Sequence, residues 1–232
     1  MPLNKSKGNM YKFVSHTHAH LGGQCQHFCS YCYVDNPRFG RPEKFKGPIR
    51  LLENEFNVKY GTGKTIFIEH CNDMFAEGVK DGMIIQILNH CFGYPGNTYV
   101  FQTKNPARYS HFDFPPNSLL GTTIESNQVF EGISKAPPPY ERYLAMKTLG
   151  ARGLNLRKFV TIEPILQFQP DILAKWMDEI RPEFINIGAD SKGHGLPEPS
   201  EDAVRALLAR LQVLKLEVRN KHNLERLLGT GI

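Results

Sequence analysis

Residues 22–34 read GGQCQHFCSYCYV and hold three of the chain's five cysteines, Cys25, Cys29 and Cys32. The pattern is C-x-x-x-C-x-x-C, with Tyr31 directly before the last cysteine. Three thiols this close, in a glycine-led loop, are poor core material and good metal ligands. The spacing lets one loop wrap one centre, and thiolates suit zinc or iron–sulfur clusters. A [4Fe–4S] cluster normally takes four cysteines, so three would leave one iron open to a substrate or cofactor. The other reading is a structural zinc site, with His27 or His20 as the fourth ligand. Cys71 and Cys91 are isolated and the cysteine total is odd, which does not suggest a secreted disulfide framework.

Working outward, the 232 residues are 41% hydrophobic, enough for one sizeable core. We expect a single domain over residues 1–232, with a cluster loop at 22–34 and a basic loop at 35–50. No apolar run approaches the roughly eighteen residues of a membrane span. The N-terminus, MPLNKSKGNMYKF, lacks the apolar segment of a signal peptide. A reducing cytoplasm is therefore the expected location. The formal charge of +5 and pI near 8.9 suit a nucleic-acid or nucleotide partner without requiring one. Arg38, Arg41, Lys44, Lys46 and Arg50 face only Asp35 and Glu43 in the basic loop. That stretch is either a phosphate-binding element or a solvated loop.

Strand and helix patterns alternate along the chain. Tyr11–Ser15 reads as a strand leading to His16, His18 and His20, which share one face of an extended chain. These imidazoles are expected to line the mouth of the sheet, a second metal site being the alternative. Ile49–Phe56 reads as a short helix. GTGK at 61–64 resembles part of a phosphate loop, but Val58 replaces the first glycine and a strand follows, so it reads as a turn. Strands follow at Thr65–Ile68, Thr98–Gln102, Ser118–Ile124, Phe159–Ile162, Phe184–Ile187 and Leu214–Arg219. Helices are predicted at Asp81–Cys91, Tyr140–Leu149 and Pro170–Ile180, and from the Ser200 cap to Gln212. Such β–α repeats call for an α/β fold with a parallel sheet and right-handed crossovers. Ligands of these sheets bind beyond the carboxyl ends of the strands. There the sequence places EHCND (69–73), QTKN (102–105), TTIES (122–126), TIEP (161–164) and NIGAD (186–190).

The cysteine pattern with its aromatic before the last cysteine resembles the signature of the radical S-adenosylmethionine (SAM) enzymes. TKNP (103–106) and IEP (162–164) resemble a compact phage and prokaryotic subgroup, similar in layout to spore photoproduct lyase. The resemblance spans Tyr11 to about Leu228. It implies a partial, open parallel β/α barrel of about six to seven strands. It also implies a [4Fe–4S] cluster on Cys25, Cys29 and Cys32, with SAM on the open iron. Reductive cleavage of SAM would give a 5′-deoxyadenosyl radical that abstracts hydrogen from an organic substrate. A flavodoxin- or ferredoxin-like electron donor follows from that chemistry.

Position by position, the resemblance assigns Glu69, Asn72 and Asp73 to the SAM amino group, in place of the family's GGE segment. Thr123 and Glu125 fall on ribose, and Lys104 on the SAM carboxylate. Tyr31, Tyr33, Ile187, Gly188 and Ala189 fall on adenine. Cys71 is a candidate hydrogen-atom donor, its plainer reading being a small buried residue. The expected substrate class is a nucleobase, nucleotide or nucleic acid. The rivals are a radical SAM enzyme acting on a peptide or protein, and a zinc-stabilised nucleic-acid-binding module without catalysis.

Overall fold

The computed structural model describes residues 3–6, 10–35, 40–150 and 156–229. Its strands are β1 (Asn4–Lys5), β2 (His16–His18), β3 (Leu21–Gly22), β4 (Arg50–Leu51), β5 (Thr65–Ile68), β6 (Thr98–Thr103), β7 (Ser118–Thr123), β8 (Arg157–Ile162), β9 (Phe184–Ile187) and β10 (Val218–Asn220). Its α-helices are α1 (Asp81–Phe92), α2 (Pro139–Thr148), α3 (Pro170–Ile180) and α4 (Glu201–Val213). One sheet runs β1-β2-β5-β6-β7-β8-β9-β10. All its neighbouring pairs are parallel except β1–β2. β1 and β10 are its edges, so the sheet is open. This is the α/β architecture expected, with an antiparallel edge strand added.

Strand alternation divides the core into two layers. Ile66, Ile68, Tyr99, Phe101, Leu120, Val160, Ile162, Ile185 and Ile187 pack with Ile84 and Ile87 of α1, Leu173 and Met177 of α3, and Val204 and Leu207 of α4. The intervening residues Phe67, Val100, Leu119, Phe159 and Phe184 form a smaller cluster on the opposite face, closed by Met10, Tyr11, Phe13 and Val14. Gly121 lies in this inner register, where an added Cβ would stand 2.1 Å from the Phe159 ring.

Three element predictions change. Tyr11–Ser15 is not a strand, and pairing begins only at His16. Its apolar residues plug the inner face instead: the Phe13 and Phe184 rings meet edge-on at 5.1 Å. The segment expected as a helix at Ile49–Phe56 splits. Arg50–Leu51 pairs with Leu21–Gly22, and Glu53–Asn57 winds into a 3₁₀ turn. The last strand starts at Val218, because Lys215 takes a left-handed turn after α4. By contrast, Thr65–Ile68, Phe184–Ile187 and Pro170–Ile180 fall where the pattern puts them. Ser200 Oγ caps α4 by accepting from Ala203 N at 3.3 Å.

Candidate active site

The cysteine loop sits over the carboxyl ends of the central strands, and backbone pairing holds its root. Gly23 N donates to Lys44 O at 2.8 Å and Gln24 N to Gly47 O at 2.9 Å. A Cβ on Gly23, whose φ is +89°, would meet Pro48 O at 2.2 Å, so only glycine lets the two segments approach this closely. Glu69, just beyond β5, fixes the same root. Its carboxylate accepts from His20 N at 2.5 Å, His20 Nδ1 at 2.8 Å and Leu21 N at 3.1 Å. Both oxygens are thus occupied by the chain itself. Asn72 Nδ2 donates to Gly23 O at 3.0 Å, while its Oδ1 is buried and has no hydrogen-bond partner among the described residues.

Asp73 is a second buried anchor. It accepts from His27 Nε2 at 2.7 Å, Lys104 N at 2.8 Å, Phe75 N at 3.0 Å and Thr103 Oγ1 at 2.8 Å. Burial would raise its carboxyl, but His27 and these donors hold it below the ordinary carboxylate range. Two residues proposed as SAM contacts, Glu69 and Asp73, therefore shape the loop through saturated hydrogen bonding.

Lys104 joins the loop to the sheet. Its ammonium donates to Cys29 Sγ at 3.2 Å and Glu125 Oε1 at 2.6 Å, and it also meets the Tyr31 hydroxyl. Glu125 Oε2 accepts from Arg142 of α2 at 2.6 Å, and Tyr31 donates to Oε1. Against the upward push of burial, Lys104 and Arg142 bring the Glu125 carboxyl down to about 2. Burial lowers the Lys104 ammonium, yet Glu125 and Cys29 outweigh it and leave it raised. Burial and the Glu125 charge push the Tyr31 phenol well up, so it stays protonated. The sequence reading missed Arg142. It is 3% exposed and shares its helix face with Met146, also buried, so a charge at this i, i+4 spacing was the available signal.

The remaining positions divide. Cys71 and Cys32 pack together against Ala19, Val34 and Phe45. Burial pushes the Cys71 thiol up to about 11, so it stays protonated, and Tyr33 Oη lies 4.0 Å from its sulfur. Tyr33 itself is 54% exposed. Thr123 Oγ1 accepts from Gln102 Nε2 at 2.8 Å, in a polar belt that runs through the Tyr11 hydroxyl to Thr161. Ile187 and Ala189 are buried, and a Cβ on Gly188 would stand 2.8 Å from Glu163 Oε1 and Asn223 Oδ1. Glu163 in turn accepts from Lys221 at 2.6 Å and Asn223 at 3.0 Å.

His18 and His20 do not line the sheet's mouth. His16 and His18 pair with Ile66 and Ile68, so they share the helix-facing side, where His18 and His20 meet His90 of α1. The basic loop is largely engaged with itself. Arg41 pairs with Asp35 at 2.6 Å, Lys46 with Glu43 at 2.5 Å, and Arg50 donates to Lys46 O at 3.1 Å. Arg38 lies outside the described residues.

Cys25, Cys29 and Cys32 are free thiols, all partly exposed. Lys104 donates to Cys29, and the Arg41 guanidinium lies 4.0 Å from Cys32 Sγ. Burial and the Asp73 charge push Cys25 up to about 12, and a coordinated metal is what draws off such a proton. Among the described residues, the only trio of His, Cys, Asp or Glu ligand atoms within 4.8 Å of one another belongs to His18, His20 and His90. The three thiols do not form such a trio. Of the histidines suggested for zinc, His27 is held by Asp73 through Nε2, and His20 meets Glu69 through Nδ1 and His90 and Tyr60 through Nε2. The residues fit a [4Fe–4S] cluster.

The open parallel sheet and its strand-end loop are similar in fold to solved radical SAM enzymes. Spore photoproduct lyase is a particular likeness. A cysteine-to-serine variant superposes with a TM-score of 0.63 at 10% identity, over 93% of this chain and 78% of that one. A double variant holding AdoMet and the dinucleoside spore photoproduct gives 0.57 at 13% identity, over 93% and 67%. SuiB from Streptococcus suis, solved with S-adenosylmethionine, gives 0.55 at 9% identity, over 90% of this chain and 51% of SuiB. No protein-family model and no curated protein matches the sequence.

Proposed function

We propose that this protein is a radical SAM enzyme acting on a nucleobase, nucleotide or nucleic acid. One observation carries the class: three free thiols on one loop over the carboxyl ends of an open parallel sheet, one bonded to Lys104. Cys25, Cys29 and Cys32 would hold a [4Fe–4S] cluster. With SAM bound, that cluster supplies the electron for reductive SAM cleavage and hence hydrogen abstraction. The remaining work belongs to the chain. Lys104 and Arg142 hold Glu125 ionised beside the loop. Among the described residues, Asn72 Oδ1 and Asn223 Oδ1 are buried acceptors without hydrogen-bond partners at two strand ends, suited to receive N–H donors of a ligand such as the SAM amino group or adenine. Gly188 lets Asn223 and Glu163 pack close against its backbone. Cys71 keeps its proton as a hydrogen-atom donor would.

The nucleic-acid reading draws on the +5 charge and on the likeness to spore photoproduct lyase, solved with a dinucleoside spore photoproduct. SuiB, solved with a precursor peptide, marks the competing substrate class. A cytoplasmic setting and a flavodoxin- or ferredoxin-like electron donor accompany the proposal. Among the described residues, no helix is long and apolar enough to cross a membrane.

The test is anaerobic reconstitution followed by dithionite and SAM. About four irons per chain and release of 5′-deoxyadenosine are expected, both lost in Cys29→Ala. Neither iron uptake nor SAM cleavage in the wild type would overturn the class. Binding of oligonucleotide against peptide to the reconstituted protein decides the substrate class, peptide-only binding refuting the nucleic-acid reading.

A further inference from the structure

His18, His20 and His90 converge on the helix-facing side of the sheet, apart from the cysteine loop. Tyr60 Oη lies 2.6 Å from His18 Nδ1 and 3.0 Å from His20 Nε2, and His20 Nε2 lies 2.8 Å from His90 Nδ1. Each ring is anchored by its other nitrogen. His18 Nε2 meets the Glu55 carboxylate at 3.1 Å, His20 Nδ1 meets Glu69 at 2.8 Å, and His90 Nε2 meets the Val58 carbonyl at 3.0 Å. All three anchors are acceptors, so each outer nitrogen carries the N–H. In neutral rings the three inner nitrogens are then lone pairs turned on one point. Tyr60 can offer them one proton. His20 and His90 are left as two acceptors in contact, in a place where His18 and His20 are 2% and 0% exposed.

We propose that these three histidines form a zinc site, bound through His18 Nδ1, His20 Nε2 and His90 Nδ1, with Tyr60 closing the fourth side. Imidazoles whose far N–H is donated to a carboxylate or backbone carbonyl are the arrangement metal-ligating histidines adopt. Charge points the same way. Among the described residues neither Glu55 nor Glu69 pairs with a lysine or arginine, so a divalent cation would neutralise two carboxylates. Zinc at its usual 2.0–2.1 Å from each nitrogen needs His20 and His90 to part by about half an ångström. Phe56, Tyr94 and Tyr60 ring the site and suit a closed, structural ion over an open, reactive one. The zinc would tie β2, the segment at 55–60 and α1 together next to Glu69, which anchors the root of the cysteine loop.

The test uses the full chain, as wild type and with Cys25, Cys29 and Cys32 all replaced by alanine. After loading with zinc sulfate and desalting, both should retain about one zinc per chain by elemental analysis. His90→Ala in the triple-alanine background should lose it. Cobalt in place of zinc should give tetrahedral d–d bands without thiolate charge transfer. Glu55→Ala, which removes an anchor but no ligand, should weaken zinc binding about 10–100-fold in chelator competition, a readout that stands if His90→Ala fails to fold. A triple-alanine protein that holds no zinc after loading would overturn the proposal and leave a proton shared between His20 and His90. Zinc unaffected by both His90→Ala and Glu55→Ala would overturn it too. Neither result bears on the cluster, which is read from iron in the wild type.

Discussion

Glu125 concentrates the electrostatics of the candidate site. Its folded pKa, about 2 against an ordinary 4.5, is depressed. Its stabilisation is therefore complete above about pH 4.5 and is lost as pH falls toward 2. The amount is about 3 kcal/mol. Urea unfolding at stepped pH should show Glu125→Gln less stable at neutrality and with a shallower loss over that acid window. Lys104→Met keeps the Arg142 partner but removes the other. A loss of about 3 kcal/mol, near the low end for a broken buried pair, should lower Tm by about 6–12 °C. Cys71 gives a chemical readout. With its thiol at about 11, only ~0.1% is thiolate at pH 8. Mass spectrometry of the iodoacetamide-treated protein should find Cys71 modified far more slowly than an ordinary exposed thiol.

At the scale of elements, glycine and a cap carry the clearest predictions. Gly121→Ala drives a methyl into the Phe159 ring and should cost about 1–3 kcal/mol by thermal unfolding. Ser200→Ala removes the α4 cap and should cost about 1 kcal/mol. These elements were readable in advance because period and punctuation agree. Pro170 opens α3 at its first position, and Phe184–Ile187 is an apolar run of strand length. Tyr11–Ser15 was misread because an apolar run that plugs a sheet looks locally like one that pairs with it. The thiols stand out in the sequence because their spacing is local. The hydrogen bonds of Glu69 and Asp73 to the loop do not, because their partners lie 49 and 46 residues away and only strand pairing brings them close. The histidines' side was misjudged for a related reason. Alternation says that His16, His18 and His20 share a face, but the neighbours Ile66 and Ile68 decide which face.

Over the whole molecule, the main core lies between the sheet and its helices, and the cysteine loop adds little to it. Leu21 at the loop's root is the one member it shares with residues 20–34. Iron-free protein, or the variant with Cys25, Cys29 and Cys32 replaced by alanine, should therefore keep native circular dichroism and unfold in one cooperative transition. A molten far-UV spectrum without a near-UV signal would contradict that expectation. The Glu69 clamp also bears on the order of assembly. It closes across 49 residues onto a backbone N–H of His20, so the loop has no defined shape until β2 and β5 have paired. Long-range closure of this kind comes late in folding. Iron would then meet a loop already held open by the finished sheet, and cluster insertion would be the last step of maturation, performed on a folded protein.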